Sequence, residues 1–468
     1  MNKYEELMAE KNDLMISSVG IDYSKYEKDN IAFDYETMMS DIGYSLDQII
    51  DIQKSTGVGD TPLLELNNLT KLARKVSPSG KAARIVIKDE QCNPSGSFKD
   101  RRAAISVYDA KRKGYKGVVS ATSGNYGAAV ASQAAMRGLK CIIVQECYDS
   151  KKIGQPEIVE KARKCECFGA EVIQLTVGPE LFYAFLKILK ETGYFNASLY
   201  SPLGIAGTET LGYEVAKQCK DKFGKYPEVV VATHAGGGNV TGTARGLIKA
   251  GAIDTKIIGA SVDLTGLHMA SDKDFNRKSF TTGHTGFGIP FMTNPDRSDV
   301  PRSAARPLRY LDRYLTVTQG EVFYMTELLA QIEGLERGPA GNTSLATAFI
   351  LAQEMEDDDI IVVQETEYTG AGKHIMPQLS FAKDNGVEIL IGDNVLDGVP
   401  GKNIILPSGP WALKYNEMNL DKYRKSLIKN SLKKLGDKEL TEIDIDFLCK
   451  ETRYSREKFK KTLDELKL

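Results

Sequence analysis

Asn93-Pro94-Ser95-Gly96-Ser97-Phe98-Lys99-Asp100-Arg101 stands between a β-branched run, residues 84–88, and a helical pattern, residues 99–113. Pro94 and Gly96 forbid regular structure in between, and Ser97 is placed to cap the helix. Lys99 then falls in the first helical turn, at the mouth of a sheet. The positive end of the helix dipole and a half-buried position both favour the neutral amine. Schiff-base chemistry needs that neutral amine. A first-turn lysine taken alone is usually a solvated surface residue, so the reading depends on what surrounds it.

Outward from this junction, short β-branched runs alternate with longer helical patterns. Strands are expected at residues 84–88, 117–121, 140–145, 171–175, 228–233, 256–262, 315–318 and 359–364. Helices are expected at 99–113, 124–137, 156–168, 180–192, 205–223, 239–250, 319–332 and 343–356. Several strands are apolar at nearly every position, as strands buried on both faces are. The alternation predicts two open α/β domains with mostly parallel sheets. A helical N-terminal extension is expected over residues 1–56, with helices at 4–14, 35–42 and 46–54. A large α/β domain follows over 57–98 and 205–410, interrupted by a small α/β domain over 99–204. The tail, 411–468, is rich in Lys and Glu from residue 419, with helices at 419–435, 441–450 and 455–466. It reads as a solvated helical cap or, alternatively, a docking surface.

Composition excludes several classes. The chain has 468 residues, 61 Lys plus Arg against 63 Asp plus Glu, and a net charge of -2. That balance offers no field for nucleic acid or an anionic membrane surface. No apolar run approaches the ~18 residues of a membrane helix. The charged, acidic start resembles neither a signal nor a transit peptide, so the cytoplasm is the expected location. The cysteines number seven, an odd count without a C-x-x-C, and the four histidines are far apart, so no metal is expected. Cys165 and Cys167 fall on one expected helix and point in different directions. Glycine supplies 42 residues, above the usual ~7% of a chain.

Two further strand-to-helix junctions attract attention, because open α/β sheets bind ligands at the carboxyl ends of their strands. In Thr122-Ser123-Gly124-Asn125-Tyr126-Gly127, hydroxyls and free backbone amides form an anion-binding end, and Asn125 adds an amide donor. The bland alternative is an ordinary capped loop. In Gly236-Gly237-Gly238-Asn239, successive glycines let backbone N–H groups surround a phosphate, with a helix N-terminus behind them. This is neither the dinucleotide fingerprint nor the Walker loop, and a tight turn is its bland alternative.

A lysine amine, an amide donor and a phosphate cradle, all at strand ends, describe a binder of pyridoxal 5'-phosphate. In this order the three motifs resemble the fold-type-II pyridoxal-phosphate enzymes: threonine synthase, tryptophan synthase β chain, cysteine synthase and the serine/threonine dehydratases. The resemblance implies a tryptophan synthase β-like fold with the cofactor in the large domain. It implies that Lys99 carries the cofactor as a Schiff base and later moves protons. Asn125 would bond the cofactor's phenolic oxygen. Thr122, Ser123 and Gly124 would grip the substrate carboxylate. Gly236, Gly237, Gly238 and Asn239 would cradle the phosphate. A neutral Ser, Thr or Cys faces the pyridine nitrogen in this family, at the end of the last core strand. Thr366 is favoured for that place and Glu365 competes. The choice matters, since a carboxylate there would keep the ring nitrogen protonated and strengthen the electron sink.

A closer similarity runs along nearly the whole chain. Residues 33–36, 57–64, 88–94, 144–149, 233–239 and 365–372 resemble the β-subunit family of 2-amino-4-oxopentanoate thiolases, enzymes of ornithine degradation. That resemblance implies coenzyme A as co-substrate, acetyl-CoA and alanine as products, and a small α subunit as partner. A homodimer of this chain within a hetero-oligomer is implied as well. Lys99 would remove the substrate's α-proton. The coenzyme A thiol would add to the C4 ketone, the C3–C4 bond would break, and protonation would release alanine. Cys92, seven residues before Lys99, is either a nucleophile or thiol relay or a small buried hydrophobe. His234 is either an acid–base or a residue packed beside the phosphate loop. The alternative activities are a threonine-synthase-like β/γ-replacement and an amino-acid ammonia-lyase. A non-catalytic scaffold of the same fold is a third reading, against which the intact Lys99 argues.

Overall fold

The computed structural model describes residues 3–122, 124–154, 156–178, 180–266, 272–279, 292–294, 299–368 and 375–466. Among these the strands fall into three sheets. The largest runs, from edge to edge, as Leu63–Glu65 (β1), Arg84–Asp89 (β2), Ile360–Glu365 (β10), Val229–Thr233 (β7), Lys256–Val262 (β8), Arg313–Val317 (β9) and Asn416–Glu417 (β13). The five central strands are parallel, and only the two edges, β1 and β13, pair antiparallel. The second sheet is wholly parallel: Glu171–Thr176 (β5), Lys140–Tyr148 (β4), Gly117–Thr122 (β3) and Phe195–Asn196 (β6). A parallel pair, Glu388–Gly392 (β11) and Asn403–Pro407 (β12), completes the set.

Sequence-distant strands meet at the centre of the large sheet. β10 lies between β2 and β7, with Val362 level with Val86 on one side and Val230 on the other. Val86, Ile87, Val230, Val231, Val362 and Val363 are completely buried. Strands covered on both faces cannot alternate polar and apolar residues, which is why these segments read as continuous apolar runs. The insertion of β10 reverses the strand order, and such a reversal opens a crevice at the carboxyl ends of the strands.

The helix after the lysine loop, Lys99–Arg112, joins the two sheets by packing between helices Pro202–Phe223 and Asn125–Arg137. Arg101 on it is fully buried between Glu90 (2.7 Å) and Glu214 (2.8 Å), and Lys88 of β2 also reaches Glu214 (2.9 Å). Helix Pro202–Phe223 lies directly against helix Gly238–Lys249. A Cβ on Gly212 would overlap the Thr243 carbonyl, and one on Gly246 would overlap the Glu209 carbonyl. The backbones therefore touch without side chains between them. Gln53 from the N-terminal segment reaches into the same region, donating to Arg101 O (2.9 Å) and Gly207 O (2.8 Å).

The structure corrects several sequence expectations. The helix expected at 4–14 is two helices, Lys3–Ala9 and Lys11–Val19. The strand expected at 315–318 is Arg313–Val317; Thr318 instead caps the next helix, accepting from the Glu321 amide. The helix expected at 343–356 begins at Pro339 and ends at Ala352. Ser97 does not cap the lysine helix: Phe98 holds that place without a side-chain bond, and the buried Ser97 hydroxyl has no partner among the described residues. The five short strands β1, β6, β11, β12 and β13 carry too few residues, or too little burial, to show a periodic signal.

The two terminal segments clasp one another. Asp444 of helix Glu442–Thr452 accepts from the backbone amides of Ile31 (3.0 Å) and Ala32 (2.9 Å). Arg306 bridges Glu451 of the tail and Glu36 near the N-terminus.

Gly246→Ala places a methyl group against the Glu209 carbonyl, so the two helices must separate. Overpacking of this kind costs about 1–3 kcal/mol. We expect a lowered melting temperature by differential scanning calorimetry, and an unchanged transition would show that the contact yields freely.

Candidate active site

Strand order converts three remote loops into neighbours. β2 leads to the lysine loop, β10 ends at Glu365-Thr366-Glu367, and β7 leads to the glycine loop; the three strands lie side by side as β2, β10, β7. Adjacent strands are about 4.8 Å apart. Backbone bonds then draw the first two together. Phe98 N donates to Thr366 O (3.1 Å), Tyr368 N donates to Gly96 O (2.9 Å), and Ser97 pairs with Glu367 as an antiparallel bridge.

Lys99 opens its helix and is half-buried. Burial pushes its amine down to about 8, helped by the charges of Lys161 and Arg102, while Glu367 opposes the shift. Lys161, itself buried, lies between Glu157 and Glu367 (3.7 Å) and is held in its charged form by these two carboxylates against its desolvation. Asp100 accepts from Ser95 N (2.7 Å), which tightens the loop; burial pushes its carboxyl up to about 7. Arg101 faces away from the site, into the ion-pair network beneath it.

The glycine loop enters helix Gly238–Lys249 through Gly237, in a left-handed conformation (φ +86°) and with no side-chain cap. The first N–H groups of that helix are thus left for an anion. A Cβ at Gly237 would overlap Pro307, and one at Gly238 would lie 3.0 Å from the Arg102 guanidinium. Asn239 is turned back toward its strand, donating to Thr233 O (3.4 Å), so what it presents to the loop is backbone.

Asn125 begins helix Asn125–Arg137 and is buried, with no described partner for its side-chain amide. The Thr122 hydroxyl accepts from Gly124 N (3.2 Å), shaping the turn from β3 into that helix. Ser123 lies outside the described residues, as do residues 369–372 of the stretch quoted above.

Three side chains singled out in the sequence behave differently from an acid–base or a nucleophile. His234 is completely buried, 2.8 Å from Met292 Sδ and edge-on to Tyr314, and burial lowers it to about 3. It is a neutral core residue, packed next to the glycine loop. Cys92 is exposed, not buried; desolvation of its thiol and the nearby Asp89 carboxylate raise its pKa, and a protonated thiol is a weak nucleophile. Glu365 is fully buried, and neither oxygen has a described partner. Burial and the charges of Asp89 and Glu367 drive it well above the carboxylate range, against the pull of Arg337.

The residues present fit pyridoxal phosphate. An uncapped glycine loop, a lysine amine of lowered pKa, and unpartnered buried oxygens on Ser97 and Glu367 converge at the ends of adjacent strands. Arg102, Lys161 and Glu367 were not assigned a role from sequence. Only the spacing of Glu157 and Lys161, four apart on one helix, could have signalled a pair. Among the described residues no group of three His, Cys, Asp or Glu side chains could hold a metal, and no helix is long and apolar enough to cross a membrane.

Residues 54–367 match the family model of pyridoxal-phosphate dependent enzymes, and the chain belongs to that family. The 2-amino-4-ketopentanoate thiolase β subunit of Acetoanaerobium sticklandii is 66% identical over 99% of this chain and 98% of its own length. A second thiolase β subunit, from an unidentified prokaryote, is 62% identical over 96% of this chain and 95% of its own. Cystathionine β-synthase of Oryctolagus cuniculus is 30% identical over 65% of this chain and 52% of its own. Among solved structures, O-ureido-L-serine synthase superposes with a TM-score of 0.52 at 20% identity, covering 69% of this chain and 91% of that one. The fold is thus that of the fold-type-II pyridoxal-phosphate enzymes.

With Lys99 desolvated, Schiff-base formation between pyridoxal and the cofactor-depleted chain should rise with a midpoint near pH 8. Glu367→Gln removes the charge that favours the protonated amine, so the midpoint should fall further. A midpoint near that of free lysine, or an upward shift in the variant, would contradict this electrostatic account.

Proposed function

We propose that this chain is the catalytic component of a two-subunit enzyme that cleaves 2-amino-4-oxopentanoate with coenzyme A, giving acetyl-CoA and alanine. The observation that carries this reading is the 66% identity to a thiolase β subunit across 99% of the chain. It is joined to a lysine loop, a glycine loop and a β10 terminus that converge as a pyridoxal-phosphate site requires. The relatives' designation as β subunits supports a small α subunit as partner. A pair of these chains at the core of the assembly and a cytoplasmic location complete the proposal. The division into a large domain, 57–98 with 205–410, and a small one, 99–204, is supported by strand membership. β3 to β6 form one sheet, β1, β2, β7 to β10 and β13 form the other, and β11 with β12 make a separate pair.

Each residue's part follows from its surroundings. When bound, pyridoxal phosphate supplies an electron sink for the cleaved carbon. Lys99, neutral in about half the molecules near pH 8, accepts the α-proton and returns a proton to the product. Glu367 and Lys161 set the charge around that amine. Thr122, Ser123 and Gly124 take the substrate carboxylate, with the free N–H groups of helix Asn125–Arg137 behind them. Asn125 would donate to the cofactor's phenolic oxygen, and Gly236, Gly237, Gly238 and Asn239 would present their amides to its phosphate. Thr366 would face the pyridine nitrogen. The competing Glu365 is held against Gly341 and its carboxyl is driven well above the usual carboxylate range by burial, which disfavours it as the anion that would stabilise a protonated ring nitrogen.

The full chain, assayed with and without the small subunit, should form acetyl-CoA from 2-amino-4-oxopentanoate and coenzyme A, with the complex more active. Phosphate release from O-phosphohomoserine without thiolysis in either preparation would favour the β/γ-replacement reading instead. Thr366→Val should change the absorption of the bound cofactor and lower kcat by roughly 10-fold, the scale of one lost hydrogen bond of about 1.4 kcal/mol. Glu365→Gln should leave both nearly unchanged; the opposite pattern would exchange the two assignments.

A further inference from the structure

Arg102 is a cation without an anion. Its side chain lies one helical turn beyond Lys99, on the same face of helix Lys99–Arg112, and the residue is 3% exposed. Nε donates to Thr208 Oγ1 (3.0 Å), and the guanidinium stacks 5.0 Å from the centre of the Phe98 ring. Among the described residues no acceptor meets its two terminal nitrogens, and it pairs with no carboxylate. Arg101, its neighbour, has two carboxylates, so the contrast is local and sharp. Other cations lie close by: Lys99 responds to both Arg102 and Lys161, but Lys161 has its own carboxylates.

A buried, unpaired charge is costly and persists only where a partner is supplied. The terminal nitrogens of Arg102 lie beside Gly238, each 3.0 Å from where a Cβ would stand. Gly238 begins the uncapped helix of the glycine loop, whose N–H groups also await an anion. Two independent features, an orphaned guanidinium and an unfilled helix N-terminus, therefore point to one spot.

We propose that Arg102 binds the phosphate group of the cofactor, donating its two terminal N–H groups to the phosphate oxygens that the glycine loop cradles. The inference rests on the cofactor site described above and adds to it a charged partner that a loop of backbone amides lacks. It makes the chain selective for the phosphorylated cofactor over pyridoxal. It also leaves Lys99 next to a neutralised cation once the cofactor is seated, so the amine's environment depends on the phosphate.

The test compares two ligands on two chains. Cofactor-depleted full-length protein and its Arg102→Gln variant are titrated with pyridoxal 5'-phosphate and with pyridoxal, read by Schiff-base absorbance, and the phosphorus NMR resonance of the bound cofactor is recorded. Arg102→Gln should weaken pyridoxal phosphate by roughly 10- to 100-fold, the range of charge-assisted hydrogen bonds, and change pyridoxal by less than about 3-fold. The phosphorus resonance should move as well. Equal weakening of both ligands, or of neither, overturns the proposal. Schiff-base formation with pyridoxal in both chains reports on the lysine site itself, so failure of that site is scored separately. Should the glutamine variant not fold, Arg102→Lys is read by the same ratio. The lysine keeps the charge but not the two-pronged geometry, so a partial drop in phosphate selectivity is expected, and no drop overturns the proposal.

Discussion

The buried ion pairs of Arg101 hold the rest of the site in place. Its guanidinium joins Glu90, just past β2, to Glu214 on helix Pro202–Phe223, and Lys88 closes the network from the strand itself. Removing any one charge would strand another in a low-dielectric interior, at a cost of about 3–5 kcal/mol. The pairing fixes both the position and the rotation of helix Lys99–Arg112. With Arg101 turned into the network, residues three apart on another face, Lys99 and Arg102, are aimed at the crevice. The direct contact of the following helices, where Gly212 and Gly246 leave no room for side chains, fixes the distance from that helix to the glycine loop.

Desolvation organises the chemistry. The same burial that lowers Lys99 to about 8 lowers Arg102 to about 10 and raises Glu365. Different neighbours turn one physical effect into different outcomes. Lys161 keeps its charge because two carboxylates adjoin it, whereas His234 loses its charge because nothing polar compensates. Catalytic groups need pKa values near the working pH, and here a lysine reaches that range through dehydration.

Much of the fold was legible along the chain. The central strands of both sheets are continuous apolar runs because they are covered on both faces, and the helices between them keep their periodic spacing. The lysine, Asn125 and glycine motifs could be read because proline, glycine and hydroxyl residues at strand ends have few structural meanings. The short edge strands were not legible, and neither was the capping at Phe98, since the packing of the lysine loop against residues 366–368 overrides the local preference of Ser97. Cys92 and His234 looked alike as candidate functional groups. Their exposure separated them, and exposure is set by residues distant in sequence.

The sequence by itself determined the alternation of strands and helices, the residue types in three loops and, through resemblance to its family, the cofactor. Those properties depend on neighbours within a few positions. Tertiary structure alone decided that β10 enters between β2 and β7, that Glu367 approaches Lys99, and that Arg101 is paired while Arg102 is not. These last are differences in solvation and in partners brought up by other elements of the fold. Two adjacent arginines carry the same local signal, and only the folded interior, where a charge must find its counter-ion, tells them apart.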